Sequence, residues 1–295
     1  MTIALESCFT GIESTPKITA GDVKRENIVQ RPEDTFLSDI NPEPFSEWRT
    51  GKRFYVTDNK FQLLLQPSDK PFPAYQDTEV VFIKAGETSD ITGNRIAELT
   101  FADTNGNHIV YRASQSLEAL KENGSLNIPF LVEMSVVEAV RQRLKDNTYY
   151  VLTSSWYDTN TQSRRGRKFV PVKVIDVKPG NAFYSVVLEM SDEHGEPFRL
   201  LVSAGDDLKT LRSFGNVFSF RDPRQSYPQI TDEIWKLIVN GKVKSGMTRD
   251  ECRLSLGSPA NVDKSAGYSS LREIWSYENG AYLIFIDGLL QSFRI

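Results

Sequence analysis

The chain predicts an α+β fold that is mainly β: two small β modules in tandem, then a unit of two helices and three strands. Three observations predict it. Short runs rich in β-branched and aromatic residues are separated by Asn-Gly and Asp-Gly pairs, the strongest short hairpin signal. Part of that pattern recurs at one spacing. Residues 230–295 open with two capped helical patterns. With 295 residues, 39% of them hydrophobic, the chain has room for two or three ordinary cores.

Residues 1–44 are rich in Thr, Glu, Asp, Pro and Lys and hold no sustained period of 3.6 or 2, which predicts a polar arm. The first β module spans 45–134. Its strand-like runs are Arg53 to Thr57, Phe61 to Leu65, Val80 to Lys84, Ile96 to Phe101 and His108 to Arg112, broken by Asp58-Asn59, Pro67 to Pro73, Gly93-Asn94 and Asn105-Gly106. Leu117 to Glu122 predicts a short helix, and Pro129 to Val132 a further short strand. Over 135–146, Ser135 caps a helix carrying Val136, Val137, Val140 and Leu144 on one side, expected to join two modules.

The second β module, 147–229, repeats the first. Leu99-Thr100-Phe101-Ala102-Asp103-Thr104-Asn105-Gly106 matches Leu188-Glu189-Met190-Ser191-Asp192-Glu193-His194-Gly195 at an offset of 192 − 103 = 89, which Ser114 and Ser203 keep. Leu117 and Leu120 correspond to Leu208 and Leu211 after a two-residue slip. Upstream, Phe54-Tyr55-Val56 pairs with Tyr149-Tyr150-Val151, and Ile83-Lys84 with Val172-Lys173. Strand count and spacing predict small SH3-like barrels for both modules, and the repetition predicts a tandem duplication. Phe214, Phe218 and Phe220 are expected to pack the second barrel, and Pro223 and Pro228 to stiffen a connector.

In residues 230–295, Thr231 caps Asp232 to Asn240, where Ile234, Leu237 and Ile238 share a face and Gly241 ends the helix. Thr248 and Glu251 form a capping box for a second helix, which Gly257 and Pro259 close. Leu271 to Tyr277, Ala281 to Ile286 and Leu289 to Arg294 then predict a three-stranded meander with turns at Asn279-Gly280 and Asp287-Gly288. A unit of this size has a marginal core, so it is expected to dock on the second barrel.

The order helix, helix, strand, strand, strand carries a set of linked motifs: Gly246-Met247-Thr248-x-x-Glu251-Cys252, Leu256-Gly257-x-Pro259, Trp275-x-Tyr277-x-Asn279-Gly280 and Phe285-x-Asp287-Gly288-x-Leu290. Residues 230–295 thereby resemble the SmpA/OmlA, BamE-like family of outer-membrane assembly lipoproteins, whose fold is related in shape to β-lactamase inhibitor proteins. The remaining two-thirds of the chain carries no such resemblance. Every matched position is a turn, cap or core signal, so the resemblance implies a fold rather than a reaction. It also implies that the sheet is the surface used for partners, with Asn279, Gly280 and the meander rim near the contact. Leu5-Glu6-Ser7-Cys8 resembles the end of a lipoprotein signal, with an aliphatic residue at −3, a small one at −1 and a cysteine to acylate; Glu6 at −2 departs from the pattern. That match implies a lipid anchor on Cys8; an ordinary exposed cysteine is the alternative.

Residues suited to catalysis are sparse. His108 and His194 each stand beside a hairpin turn and read as turn histidines. The two cysteines, Cys8 and Cys252, lie too far apart in the chain to suggest a disulfide framework, and no His/Cys spacing suggests zinc. Cys252 reads as a small buried side chain. No phosphate cradle, dinucleotide fingerprint or nucleophile elbow is present, and the acidic pairs Asp192-Glu193 and Asp206-Asp207 lack calcium-loop spacing. No catalytic, cofactor or metal residue is therefore assigned. A net charge of −4 disfavours nucleic acid as a partner, and no apolar run reaches the roughly 18 to 20 residues of a membrane span.

The basic run Arg164-Arg165-Gly166-Arg167-Lys168, following Trp156 and Tyr157, reads as a self-solvated hairpin loop, or else as a contact for anionic headgroups or an acidic partner. Trp156 and Tyr157 read as core or rim before ligand stack. Trp275 and Tyr277, two apart on one strand, read as core packing before binding face. The function expected is a non-enzymatic, periplasm-facing, outer-membrane-anchored lipoprotein that binds protein partners in the cell envelope. The alternatives are a tandem-barrel protein binding cell-wall peptide or glycan, an enzyme, and, for location, the cytoplasm.

Overall fold

The computed structural model describes residues 31–68, 71–124, 126–181, 183–205, 212–266 and 270–295. The fold is α+β and mainly β. The first sheet is built from β1 (Arg53–Val56), β2 (Glu79–Ser89), β3 (Arg95–Ala102) and β4 (His108–Arg112), followed by helix α1 (Leu117–Asn123) and strand β5 (Leu131–Glu133), in the antiparallel order β4-β3-β2-β1-β5. Phe54, Val56, Val80, Phe82, Leu99 and Phe101 are buried on one side of it, the period-two consequence of their spacing. Ser116 caps α1 by accepting from the Ala119 amide at 3.2 Å, and Gly124 closes the helix in the left-handed region.

Helix α2 (Met134–Leu144) leads into the second module, comprising β6 (Thr148–Val151), β7 (Ser155–Tyr157), β8 (Ser163–Arg165), β9 (Pro171–Pro179), β10 (Val186–Asp192), β11 (Pro197–Val202), the single turn α3 (Phe214–Val217) and β12 (Phe218–Ser219). Its sheet runs β12-β6-β9-β10-β11-β7-β8. Set beside β5-β1-β2-β3-β4, the path β12-β6-β9-β10-β11 is the same, with the β7–β8 hairpin added at one edge. Among the described residues no strand pairing closes either sheet into a barrel.

The long hairpins of the two sheets share a bulge. Strand β2 skips Ile83 between the pairs Phe82–Phe101 and Lys84–Thr100, and β9 skips Ile175 between Val174–Met190 and Asp176–Glu189. Phe101 and Met190 are 190 − 101 = 89 apart, whereas the bulged residues are 175 − 83 = 92 apart. Ile83 therefore corresponds to Ile175, and the expected match of Ile83-Lys84 with Val172-Lys173 is three residues off. The reason is that pairing register, not chain count, decides equivalence across loops of different length. Phe54 pairs with Val80 and Tyr149 with Val172, which makes Phe54 and Tyr149 equivalent. Leu208 and Leu211 lie outside the described residues.

One turn device serves four hairpins. Asp90, Asp103, Asp158 and Asp192 each accept from the backbone N–H two and four residues on, at 2.8 to 3.0 Å. The residue three on, Gly93, Gly106, Thr161 or Gly195, has positive φ. These aspartates set the corners.

Four expectations are corrected. Phe61 to Leu65 is no strand: Asp58 accepts from the Lys60 amide and starts a 3-10 helix over Asn59–Leu64, which buries Phe61. Ser135 does not cap α2, because the helix starts a residue earlier and the Ser135 hydroxyl donates to Glu133 at 2.6 Å. That helix is more than a joint, since Val136, Val137, Val140 and Leu144 belong to the second core. From Arg31 the arm is structured: a 3-10 turn, Pro32–Thr35, is followed by Leu37 and Ile40, both buried in that same core.

The C-terminal unit holds α4 (Asp232–Val239), α5 (Arg249–Leu256) and the strands β13 (Asn261–Ala266), β14 (Leu271–Ser276), β15 (Tyr282–Ile286) and β16 (Leu289–Arg294) in sequential antiparallel order. The sheet thus has four strands, not three, because the segment after Pro259 pairs with β14 from Asn261 onward. Its own core, with Trp275, Phe285 and Leu283, packs beneath the two helices. The unit abuts the second module. Phe169 stacks on Trp235 at 5.5 Å, the Lys168 amide donates to the Val239 carbonyl at 3.2 Å, and Arg165 Nη2 donates to the Gly241 carbonyl at 2.7 Å.

Candidate functional site

The C-terminal motif residues hold the unit together. Thr248 Oγ1 accepts from the Glu251 amide at 3.3 Å while Glu251 Oε2 accepts from the Thr248 amide at 2.7 Å, and Gly257 ends α5 at φ 89°. Met247 is buried, and the Gly246 amide and Met247 carbonyl both bond Leu290. Asn279 Oδ1 accepts from the Ala281 amide at 3.1 Å ahead of Gly280, and Asp287 and Gly288 both have positive φ, the two-residue hairpin geometry. Trp275 is core, 4.7 Å from Phe285. Tyr277 is half-buried and donates to the Gly257 carbonyl at 3.2 Å; Leu256 and Pro259 lie nearby at the same end. Cys252 is fully buried, and desolvation, with the Glu251 charge second, pushes its thiol up to about 12. A thiol so placed is not a nucleophile at neutral pH.

Residues that the sequence left unremarked complete this core. Glu273 is 2% exposed, accepts from Arg249 Nη1 at 2.6 Å, and also takes the Trp275 indole N–H at 3.4 Å. No local motif announces that pair, since its members are 24 residues apart.

The basic run is not an exposed loop. Arg164 lies 5.7 Å over the Trp156 ring and donates to the Pro197 carbonyl at 3.3 Å. Arg165 reaches Gly241, and Arg167 spans Asp192 at 2.8 Å and Glu193 at 2.7 Å. Lys168 is 9% exposed; burial, with the Arg165 charge second, pushes its ammonium down to about 8. The self-solvated reading is thereby replaced: the three arginines are spent on internal contacts, and the Lys168 ammonium is buried. Trp156 is buried and stacks on Phe198 with centroids 3.8 Å apart, so it offers no face to a ligand. Gly166 permits that stack, because a Cβ there would sit 1.9 Å from the Trp156 ring. Tyr157 is half-buried, with the Arg212 guanidinium 5.4 Å over its ring.

Two candidate residue sets nevertheless meet. A groove of 370 Å³ between the β7–β8 hairpin and the C-terminal unit is lined by Arg164, Arg165 and Ser163 on one side and by Leu256, Tyr277 and Asn279 on the other. It is shallow and polar, and neither His108 nor His194 lines it. Among the described residues no group of three or more His, Cys, Asp or Glu side chains could hold a metal ion, and no helix is long and apolar enough to cross a membrane. Cys8, Asp206 and Asp207 lie outside the described residues.

The outer face of the C-terminal sheet is a second open surface. On β15, Leu283 and Phe285 point into the core, so Tyr282, Ile284 and Ile286 point away. Ile274 pairs with Ile284, and Leu289 with Ile286, placing five apolar side chains on one outward face beside Arg272, Ser276, Ser292 and Arg294; Tyr282 and Leu289 are 38% and 45% exposed, and the three isoleucines are half-buried. A signal was available: Tyr-Leu-Ile-Phe-Ile is apolar at every position, whereas a strand buried on one side needs only alternation. No protein-family model and no curated protein matches the chain.

Proposed function

We propose that this chain is a non-catalytic protein-interaction module of the cell envelope whose C-terminal BamE-like unit presents the outer face of its sheet to a protein partner. The observation that carries the reading is the apolar group on that outward face, where Tyr282 and Leu289 are exposed and Ile274, Ile284 and Ile286 half-buried, rimmed by Arg272 and Arg294. Apolar side chains grouped on an open sheet, rather than scattered singly, mark an interaction surface. The motif set from Gly246 to Leu290 supports the family assignment, and the shared strand path of the two β modules supports SH3-like domains related by duplication. An acylated Cys8 would hold the protein on the outer membrane, facing the periplasm; mass spectrometry of the N-terminal peptide from membranes tests that, and an unmodified Cys8 contradicts it.

The test of the interaction reading is crosslinking and capture from envelope fractions with the wild type and an Ile284→Asp/Leu289→Asp pair. Partners lost only from the pair support the reading. An unchanged set of captured proteins contradicts it.

A further inference from the structure

We propose that the groove on the first module, between the 3-10 turn Phe45–Glu47, strand β2 and helix α1, docks an acidic amphipathic helix of a protein partner. The inference starts from the internal repeat. In the second module α2 stands immediately before the first strand and packs along β9, inserting Val136, Val137, Val140 and Leu144 into the core. Its basic last turn meets β9 at Asp176, where Arg141 Nε lies at 3.1 Å and Lys145 Nζ at 3.9 Å.

The equivalent place in the first module is only partly covered. There the segment before β1 is a 3-10 turn of three residues, Phe45–Glu47. Beside it lies a groove of 640 Å³ whose apolar lining is the half-buried Trp48, Ala85 and Leu117, over the buried Phe45 and Phe82. The residue equivalent to Asp176 is Lys84, because each pairs with the residue next to the shared bulge, Glu189 in one sheet and Thr100 in the other. Lys84 lines the groove together with Arg49 and Lys121; all three are exposed, and no carboxylate is among the lining residues. Among the described residues none of these three cations has an ion-pair partner.

The same strand position thus carries an acid where the covering helix is basic and a free base where the cover is partial. Charge complementarity then fits an acidic cover, and the half-buried Trp48, Ala85 and Leu117 fit an apolar stripe beside the carboxylates. This surface is distinct from the outer face of the C-terminal sheet, so each proposal can fail alone.

The test uses the full chain and a labelled synthetic helix with Leu at i, i+3, i+4 and i+7, flanked by Glu, beside a twin in which every Glu is Lys. Fluorescence anisotropy is expected to show the Glu helix binding about tenfold or more tighter than the twin, with affinity falling as salt rises. An Arg49→Glu/Lys84→Glu variant, whose substituted side chains are exposed and unpaired, is expected to reverse that preference at unchanged Tm. Ile284→Asp, on the C-terminal sheet, leaves it intact. Equal affinity for both helices overturns the proposal, as does undiminished binding of the Glu helix by the charge-reversed variant. So does binding of phosphatidylglycerol vesicles through Arg49 and Lys84 with no binding of the Glu helix.

Discussion

The rings of Phe169 and Trp235 lie 5.5 Å apart and 24° from parallel across the join between the second β module and the C-terminal unit. Arg224 caps the stack, 5.1 Å over the Trp235 ring. Around it, the Lys168 amide and Arg165 guanidinium end on carbonyls that follow or finish α4. The small C-terminal core is thus continued by the module before it, which is how about 65 residues avoid the instability expected of so small a core.

Trp235→Ala should loosen that join. The side chain is half-buried, so the cost falls below the roughly 3 to 5 kcal/mol of a fully buried Trp→Ala change. Limited proteolysis is expected to cut the variant within residues 221–229 several times faster than wild type. Unchanged cleavage would show that the stack does not hold the unit.

Lys168 supplies a pH test. Its ammonium is pushed down to about 8 from the ordinary 10.5, so between those values the unfolded chain binds more protons than the folded one. Stability must therefore rise with pH across that window, and the burden of burying the charge is greatest below it. Lys168→Met, which keeps the backbone bond to Val239, is expected to raise Tm at pH 7 and to remove the rise between about pH 8 and 10.5. A variant that is less stable at pH 7 contradicts this.

Asp192 works in the opposite direction. Burial raises its carboxyl pKa, but the Glu196 amide, Arg167 and the His194 amide more than offset this and hold it below the ordinary value. Its contribution is present above about pH 4 and is lost as pH falls through the depressed value. Asp192→Asn is expected to lower stability at pH 7 and to flatten acid unfolding below about pH 4. Parallel acid-unfolding curves for variant and wild type would refute that role.

The Arg249–Glu273 pair is half-open: Glu273 is 2% exposed on its side chain and Arg249 40%. Losing one member of a fully buried pair costs about 3 to 5 kcal/mol, but Arg249 can rehydrate, so Glu273→Gln should cost about 1 to 3 kcal/mol. Urea unfolding measures it; a midpoint equal to wild type contradicts the assignment.

Much of the fold was legible because it is written in local chemistry. The caps at Thr231 and Thr248 and the turns at Asn279-Gly280 and Asp287-Gly288 need only neighbours in sequence. What was not legible depends on distant partners. Ile83 could not be matched to Ile175 without the pairing of β3 and β10, and Phe61 read as strand because its burial is decided by the core it enters, not by its spacing. The basic run misled for the same reason: Arg165 and Arg167 find partners 76 and 25 residues away. The outward face of β15 lay in plain view in its unbroken apolar sequence.

The most direct measurement is site-specific photocrosslinking in cells from alternate residues of β15. A crosslinker at 282, 284 or 286 is expected to trap one common protein, while one at 283 or 285 traps none, because those side chains face the core. Absence of any adduct from all three outward positions, or the same adducts from 283 and 285, would contradict an interaction through this face.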